Sequence, residues 1–501
     1  MKIRSLRMPI VMALALGLGA CAVGPDYHRP SVAAPPKFKE LEGWTQAEPA
    51  AEKPKGDWWT VFHDPLLDEL EPMVAVSNQT VRQNFANYRE ALAEVRVARS
   101  SLFPTIGIAG SATRERSSSG SNLSNSSSSF ATSRGRVFNS ASLGGDVSWA
   151  PDLWGQVRRT IEQNAASAEA TQATLANATL SEQVTLATAV IDLRVTDANI
   201  DLLQRTVEQN KEYLRVVSDQ QQAGTVPPSD LITARTQLES SQSSLIALGV
   251  SRAQYEHAIA VLVGKNPEEL NIAHSTALPV LPSIPVGVPS TLLQRRPDVA
   301  VAERQMAEEN AAIGVAISAY YPSISLSAVA EFAQSPLGGL LNIGNYVWSL
   351  GANASQTIFD GGERSGKVAE AKAAYDAALA NYRGTVLTAF QEIENDLAAL
   401  RILAEQAKVL DAEVSDAKQG ARIALNEYRA GTVDYTTAAA AQTTSLSAQE
   451  TALSVQQTRL VNAVSLIGDL GGGWSATALC DPRQQKCDPY SAARSPLHAS
   501  R

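Results

Sequence analysis

The sequence predicts an internally duplicated chain of mixed α and β class, each half joining a pair of membrane-type β-strands to one very long helix. Three observations predict it. The first is Lys367–Ala430, which lies between Gly366 and Gly431 and contains no proline. Its Leu400, Leu403, Ala407, Leu410, Val414, Ala417, Ala421, Ala424 and Tyr428 fall at alternating steps of three and four residues. That is the seam of a helix packed side by side with other helices. The second is a near-copy upstream. Gln156–Ala223 has neither Gly nor Pro, and Ile200, Leu203, Val207, Leu214 and Val217 keep the same rhythm, with Asn210 at the one skipped step. At ~1.5 Å per residue each stretch makes a helix roughly 100 Å long. Both stop at the same turn, Ala223-Gly224-Thr225-Val226 and Ala430-Gly431-Thr432-Val433. The third is a set of four alternating apolar and polar stretches, two before each long helix.

Composition narrows the function classes. Lys+Arg number 42 against 51 Asp+Glu, a net charge of -9, which argues against a nucleic-acid partner. Ala, Ser, Thr and Gln crowd the long helices. Small residues permit close helix packing, and a face neither greasy nor charged suits a water-filled space; good helix formers on a solvated face explain the same bias. Of the three cysteines, Cys480 and Cys487 enclose six residues in a proline-containing tail, a candidate disulfide loop in an oxidising compartment. Two cysteines without a nearby histidine are too few for a metal site.

In chain order, residues 1–20 read as an export signal, with Lys2, Arg4 and Arg7 ahead of a short apolar run. Leu18-Gly19-Ala20-Cys21 resembles a bacterial lipobox, so Cys21 is the expected lipidated first residue, and Ala22 after it implies passage to the outer membrane. Residues 21–64 read as a lipid-anchored tether. Residues 65–266 form the first repeat, of a helix, two strands, the long helix and a return helix. A proline-rich linker spans 267–290, the second repeat 291–474, and a tail 475–501.

The strands carry the membrane reading. Ile106, Ile108, Gly110 and Ala112 alternate with Thr105, Gly107, Ala109, Ser111 and Thr113, and Leu143, Val147 and Trp149 share a face opposite Ser142, Asp146 and Ser148. In the second half Ile324, Leu326, Ala328, Ala330 and Phe332 make one such face, and Tyr346, Trp348, Leu350, Ala352 and Ala354 another. Segments of about ten residues with this pattern fit a membrane β-barrel, and Trp149, Phe332, Tyr346 and Trp348 are candidates for its aromatic girdle. A soluble two-sheet module has the same pattern. Four strands are too few to close a barrel, and open edges cannot face lipid, so the barrel is expected to be shared among copies. Three copies supply twelve strands.

Several stretches together are similar to the TolC-type outer-membrane efflux family, in its NodT-like lipoprotein branch. They are Cys21–Tyr27, Asp57-Trp58-Trp59, Leu153-Trp154-Gly155, Arg295-Arg296-Pro297-Asp298 with Ala302-Glu303, Ile313–Ala316 leading to Tyr321–Leu326, Tyr428–Thr432 and Gly471-Gly472-Gly473-Trp474. The resemblance implies a homotrimer with a twelve-stranded outer-membrane β-barrel continued by a periplasmic α-helical barrel. It implies an exit duct of a tripartite efflux pump, partnered by a periplasmic membrane-fusion adaptor and an inner-membrane efflux transporter, and set in outer-membrane lipid. A duct for type I protein secretion and an exported coiled-coil protein without a channel are the alternatives. The resemblance places adaptor docking at Gly224, Thr225, Gly431 and Thr432, and the periplasmic aperture at Asp230, Tyr428 and Arg429; Asp434, a few residues past the second turn, is the aperture candidate in place of the family's second aspartate. Where the family has Leu-Asp-Ala-Gln, this chain has Ala439-Ala440-Ala441-Gln442, so its usual aspartate is Ala440. Both Asp230 and Asp434 also suit helix N-caps.

No covalent chemistry is expected. Gly361–Lys367 fits the spacing of a phosphate loop, but Val368 stands where a Ser or Thr must hold Mg²⁺. The five histidines are scattered, without ligand spacing, and no catalytic elbow occurs. Cofactors are therefore none beyond the covalent lipid on Cys21, and no metal is expected.

Overall fold

The computed structural model describes residues 22–31, 35, 37–40, 57–116, 137–282, 284, 295–334, 340–483 and 487. The export signal, Cys21 and the Ser-rich stretch 117–136 lie outside the described residues. Among the described residues the elements run α1 (Pro65–Ser77), α2 (Gln79–Ser100), β1 (Thr105–Arg116), β2 (Val137–Trp149), α3 (Gln156–Gln222) and α4 (Pro228–Leu262). Then follow α5 (Pro297–Ser318), β3 (Ser323–Gln334), β4 (Tyr346–Ser355), α6 (Glu363–Arg429) and α7 (Tyr435–Asp469). The chain is mostly helical. Both long helices, α3 and α6, have 67 residues, and both return helices, α4 and α7, have 35.

Two compact units are distinguished. One comprises Met1–His28, Leu92–Ala166 and Ala307–Ala377; the other Arg29–Ala91, Ser167–Met306 and Ala378–Arg501. In the first, the strands make one antiparallel sheet in the order β1-β2-β3-β4. Its register puts the apolar alternation in line across every pair. Ile106 faces Val147, Leu143 faces Phe332, and Ala330 faces Trp348. Residues directly opposite share a face, so one side of the sheet is apolar from edge to edge. That side is bare: Ile108 is 86% exposed, Leu350 75% and Trp348 67%. The sheet's base is pinned by Trp154, whose indole N–H donates to the Pro322 carbonyl at 2.8 Å while its ring stacks on Tyr321.

The same unit holds residues Ala22–His28. Val23 N–H donates to the Trp154 carbonyl, Arg159 donates to the Val23 and Gly24 carbonyls and to Asp26, and Asn310 donates to the Pro25 carbonyl. Gly24 is needed there, because its φ is +99° and an added Cβ would lie 2.5 Å from Gly314 Cα. In the second unit Phe38 is buried and Glu394 accepts from the Lys39 and Glu40 amides. The expected tether is thus seated on the body over its described residues. A proline- and polar-rich composition concealed this, since the fixing bonds run to main-chain groups that any sequence offers.

The second unit's core is a helix–helix core. Leu186, Val190, Ile191, Val386, Ile393, Leu397, Leu460 and Val464 are fully buried on facing helices. The tryptophan pair anchors its start: Trp58, Trp59 and Phe62 are buried in edge-to-face contact. Asp64 then caps α1 through Leu66 N–H and pairs with buried Arg194 at 3.1 Å. Helix α6 starts earlier than its glycine boundary suggested. Asp360 accepts from Gly362 N–H and the Arg364 side chain, so the helix begins at Glu363 and carries Gly366 inside it. In the phosphate-loop-like stretch, Gly361 and Gly362 have φ of +63° and +100° and turn strand into helix, while Lys367 is tied to Glu363. Among the described residues no helix is long and apolar enough to cross a membrane.

Candidate functional site

Both long helices end by one device. At the first turn Gly224 N–H donates to the Gln221 carbonyl and Thr225 N–H to that of Gln220, both at 3.0 Å. At the second, Gly431 N–H donates to the Tyr428 carbonyl at 2.9 Å and Thr432 N–H to that of Glu427 at 3.0 Å. These bonds satisfy the last carbonyls of a helix and require a left-handed residue just past its end. Gly224 and Gly431 supply it, with φ of +71° and +73°. A Cβ at either would meet nothing within 4 Å, so backbone conformation alone demands glycine. Thr225 and Thr432 each add a hydroxyl bond to the carbonyl five residues back.

The helices are restarted differently. Pro227 and Pro228 open α4 with no side-chain cap, and half-buried Asp230 lies in its first turn. Asp434 is the N-cap of α7. Its carboxylate accepts from the Thr437 N–H at 2.8 Å and hydroxyl at 2.7 Å, which holds its pKa below the usual carboxylate value. Asp434 is exposed.

A small core joins the two turns. Val217, Ala234, Tyr428, Tyr435 and Ala438 are buried there, with Tyr213, Leu214, Val226, Leu231 and Val433 against them. Tyr428 and Tyr435 meet edge to face at 5.6 Å. The Tyr428 hydroxyl donates to Gln220 Oε1 at 2.5 Å, linking α6 to α3 within the chain. Burial raises the pKa of both phenols, that of Tyr435 to about 12, and the nearby Asp230 charge adds to the shift. Arg429 is exposed. The expected aperture and docking residues thus lie at one pair of turns, Asp230 beside the tyrosines and Asp434 engaged as a cap. The sequence did not single out Gln220 or Tyr435, although Tyr435 keeps the helical spacing from Tyr428 across the turn.

The cysteines require a correction. Cys480 and Cys487 are joined as a disulfide with Cα atoms 5.8 Å apart, so neither is a free thiol for a lipid anchor. The covalent lipid expected on Cys21 is withdrawn: the two cysteines that are described are bonded to each other, and Cys21 lies outside the described residues. The Cys480 amide donates to Gln172 Oε1 and the Gln172 amide to the Ala478 carbonyl, which fixes the tail to α3. Among the described residues no group of three or more His, Cys, Asp or Glu side chains could hold a metal ion.

The sequence profile described as Outer membrane efflux protein matches residues 72–265 and 288–472. The chain belongs to that family. Among curated relatives, the solvent efflux pump outer membrane protein SrpC of Pseudomonas putida is 30% identical over 482 residues, 95% of this chain and 100% of that protein. Outer membrane protein OprJ of Pseudomonas aeruginosa is 27% identical, covering 92% of this chain and 95% of its own. Among solved structures, the outer-membrane channel OprN superposes with a TM-score of 0.82 at 29% identity, over 91% of this chain and 100% of that one. The Campylobacter jejuni CmeC outer membrane channel shares the fold with a TM-score of 0.84 at 24% identity, over 95% of this chain and 98% of that one. This outer membrane efflux protein is an outer-membrane channel component of a bacterial efflux or export system. It is a conduit and not an enzyme.

Proposed function

We propose that this channel works as a homotrimer, its three four-stranded sheets closing into a twelve-stranded outer-membrane barrel continued by a periplasmic helical tunnel. The carrying observation is the sheet itself, which ends on strands β1 and β4, and whose apolar side is exposed along both of those edge strands. Unpaired strand edges are not tolerated in lipid, and pairing β1 of one copy with β4 of the next removes them all. Residues 65–266 and 291–474 are the two repeats that each give two strands and two pore-forming helices. The 267–290 linker joins them, and 475–501 is a tail.

At the two turns, Gly224, Thr225, Gly431 and Thr432 form the docking tip for a periplasmic adaptor, which connects the duct to an inner-membrane transporter. Relatives named for solvent, toluene and antibiotic efflux make small organic molecules the favoured cargo class. Threefold convergence turns one acid per chain into a ring of three that favours cations in a narrow aperture. Asp230 is the favoured ring residue, since it lies half-buried beside the tyrosines of the shared core, whereas Asp434 is turned to the Thr437 amide and hydroxyl and Ala440 carries no charge. The Tyr428–Gln220 bond holds the closed arrangement, with Arg429 beside it. Planar-bilayer recording tests this. The protein conducts, Asp230→Asn lowers cation preference, and Tyr428→Phe or Arg429→Ala raises resting conductance. Unchanged selectivity in Asp230→Asn moves the aperture elsewhere.

A further inference from the structure

The Arg-Arg-Pro-Asp stretch ahead of α5 builds a charge cluster unrelated to the turns. Arg296 is buried and uses all five of its N–H donors. Its Nε and Nη2 donate to Asp298 at 3.0 and 2.7 Å, and Nη2 donates also to Glu392 at 2.7 Å. Its Nη1 donates to the Asp469 carboxylate at 3.1 Å and to the Asp469 carbonyl at 3.3 Å, closing the end of α7. Three carboxylates thus already surround one cation with no donor to spare. A fourth acid, Asp396, stands one helical turn beyond Glu392. It is 9% exposed, its Oδ2 is buried and accepts no hydrogen bond, and its carboxyl is within hydrogen-bonding reach of Asp469. Both line a cavity of about 490 Å³.

We propose that Asp396 and Asp469 bind one proton between them, a carboxylic acid–carboxylate clasp that fastens α6 to the C-terminal end of α7 and loosens when the proton leaves. Two ionised carboxylates cannot hydrogen-bond to each other. With one proton, Asp396 donates an O–H to Asp469, and the buried group carries no unpaired charge. The groups facing the pair are Glu392 on α6, Arg296 and Asp298 ahead of and at the start of α5, and the neutral Asn177 and Ser181 on α3. Burial first, and then the Asp469 and Glu392 carboxylates, push the Asp396 carboxyl up to about 8 against the opposing pull of Arg296. Burial raises Asp469 as well. The proton leaves to solvent through the cavity, so no other group must accept it.

The sign follows from proton counting. Between the ordinary value of 3.8 and about 8 the folded state holds a proton that the unfolded chain has lost. The pair's contribution to stability is therefore full below that window, falls as pH rises through it, and is constant above it.

Infrared difference spectra of the full chain in detergent, titrated from about pH 4 to about pH 9, test the clasp. The expected result is a protonated-carboxyl C=O band that disappears near the upper end of the range, is missing in Asp396→Asn, and is shifted in frequency in Asp469→Asn, where burial still keeps the Asp396 proton but its acceptor has changed. Glu71, whose carboxyl burial also pushes well above the usual value, gives a band that neither variant alters and serves as the internal reference. Asp396→Asn keeps a hydrogen-bond donor toward Asp469, so it folds, and its thermal midpoint falls less steeply with pH than that of the parent. A second band beside that of Glu71 that survives in Asp396→Asn, a band unmoved by Asp469→Asn, or one that titrates with ordinary carboxylates near pH 4 overturns the proposal, as does a pH slope unchanged by Asp396→Asn.

Discussion

The two return turns share one way of stopping a helix and differ in how they start the next. Gly224 and Gly431 have φ within a few degrees of each other and equivalent closing bonds. Beyond them one turn restarts through Pro227-Pro228 and the other through the Asp434 cap. The comparison teaches that duplicated geometry rests on a backbone requirement that only glycine meets cheaply, whereas the restart has several chemical solutions. Because proline presets the first turn of α4, Asp230 is not needed as a cap there. The carboxylate of Asp434 has that task at the other turn. The two acids therefore differ in their bonds: one caps a helix and the other does not.

Four changes break or sharpen this contrast. The largest effect is expected from Tyr428→Ala, which empties the small core both turns share and costs about 3 kcal/mol of local opening free energy. Hydrogen exchange of the 213–238 and 421–442 amides reads it, and both turns are expected to loosen together. Next come Gly224→Ala and Gly431→Ala. Each strains a left-handed backbone by about 1–2 kcal/mol with no steric clash, so the two costs are expected to match. A large inequality means that the turns are not equivalent. Asp434→Ala is expected to fray the start of α7, while Asp230→Ala leaves the start of α4 intact, again by exchange. The smallest effect is pH dependence. Hydrogen bonding lowers the folded pKa of Asp434 below 3.8, so its cap is at full strength above that value and is lost as pH falls through the lowered one. Acid is therefore expected to fray α7 before α4.

Much of this was legible in the sequence because it rests on periodicity. The long helices follow from the heptad seam. Asp360 moved the start of α6 back to Glu363, because its bonds to the Gly362 N–H and the Arg364 side chain outweigh one glycine's weak helix propensity. The strands follow from alternation, and their register set Leu143 opposite Phe332 and Ala330 opposite Trp348. What periodicity does not encode was not legible. The seats of residues 22–28 and 39–40 depend on bonds to main-chain carbonyls and amides, and the five-bond hub at Arg296 depends on residues up to 173 positions apart. At the candidate site, the glycine turns and the acids were readable, but which of Asp230 and Asp434 caps its helix was not. It rests on which side chain finds Thr437.

The central claim is that one chain supplies a third of a closed barrel. Native mass spectrometry of the full-length protein released from detergent micelles tests it most directly. The account predicts a single stable species of three times the protomer mass that conducts when reconstituted. A stable monomer that conducts ions would contradict it.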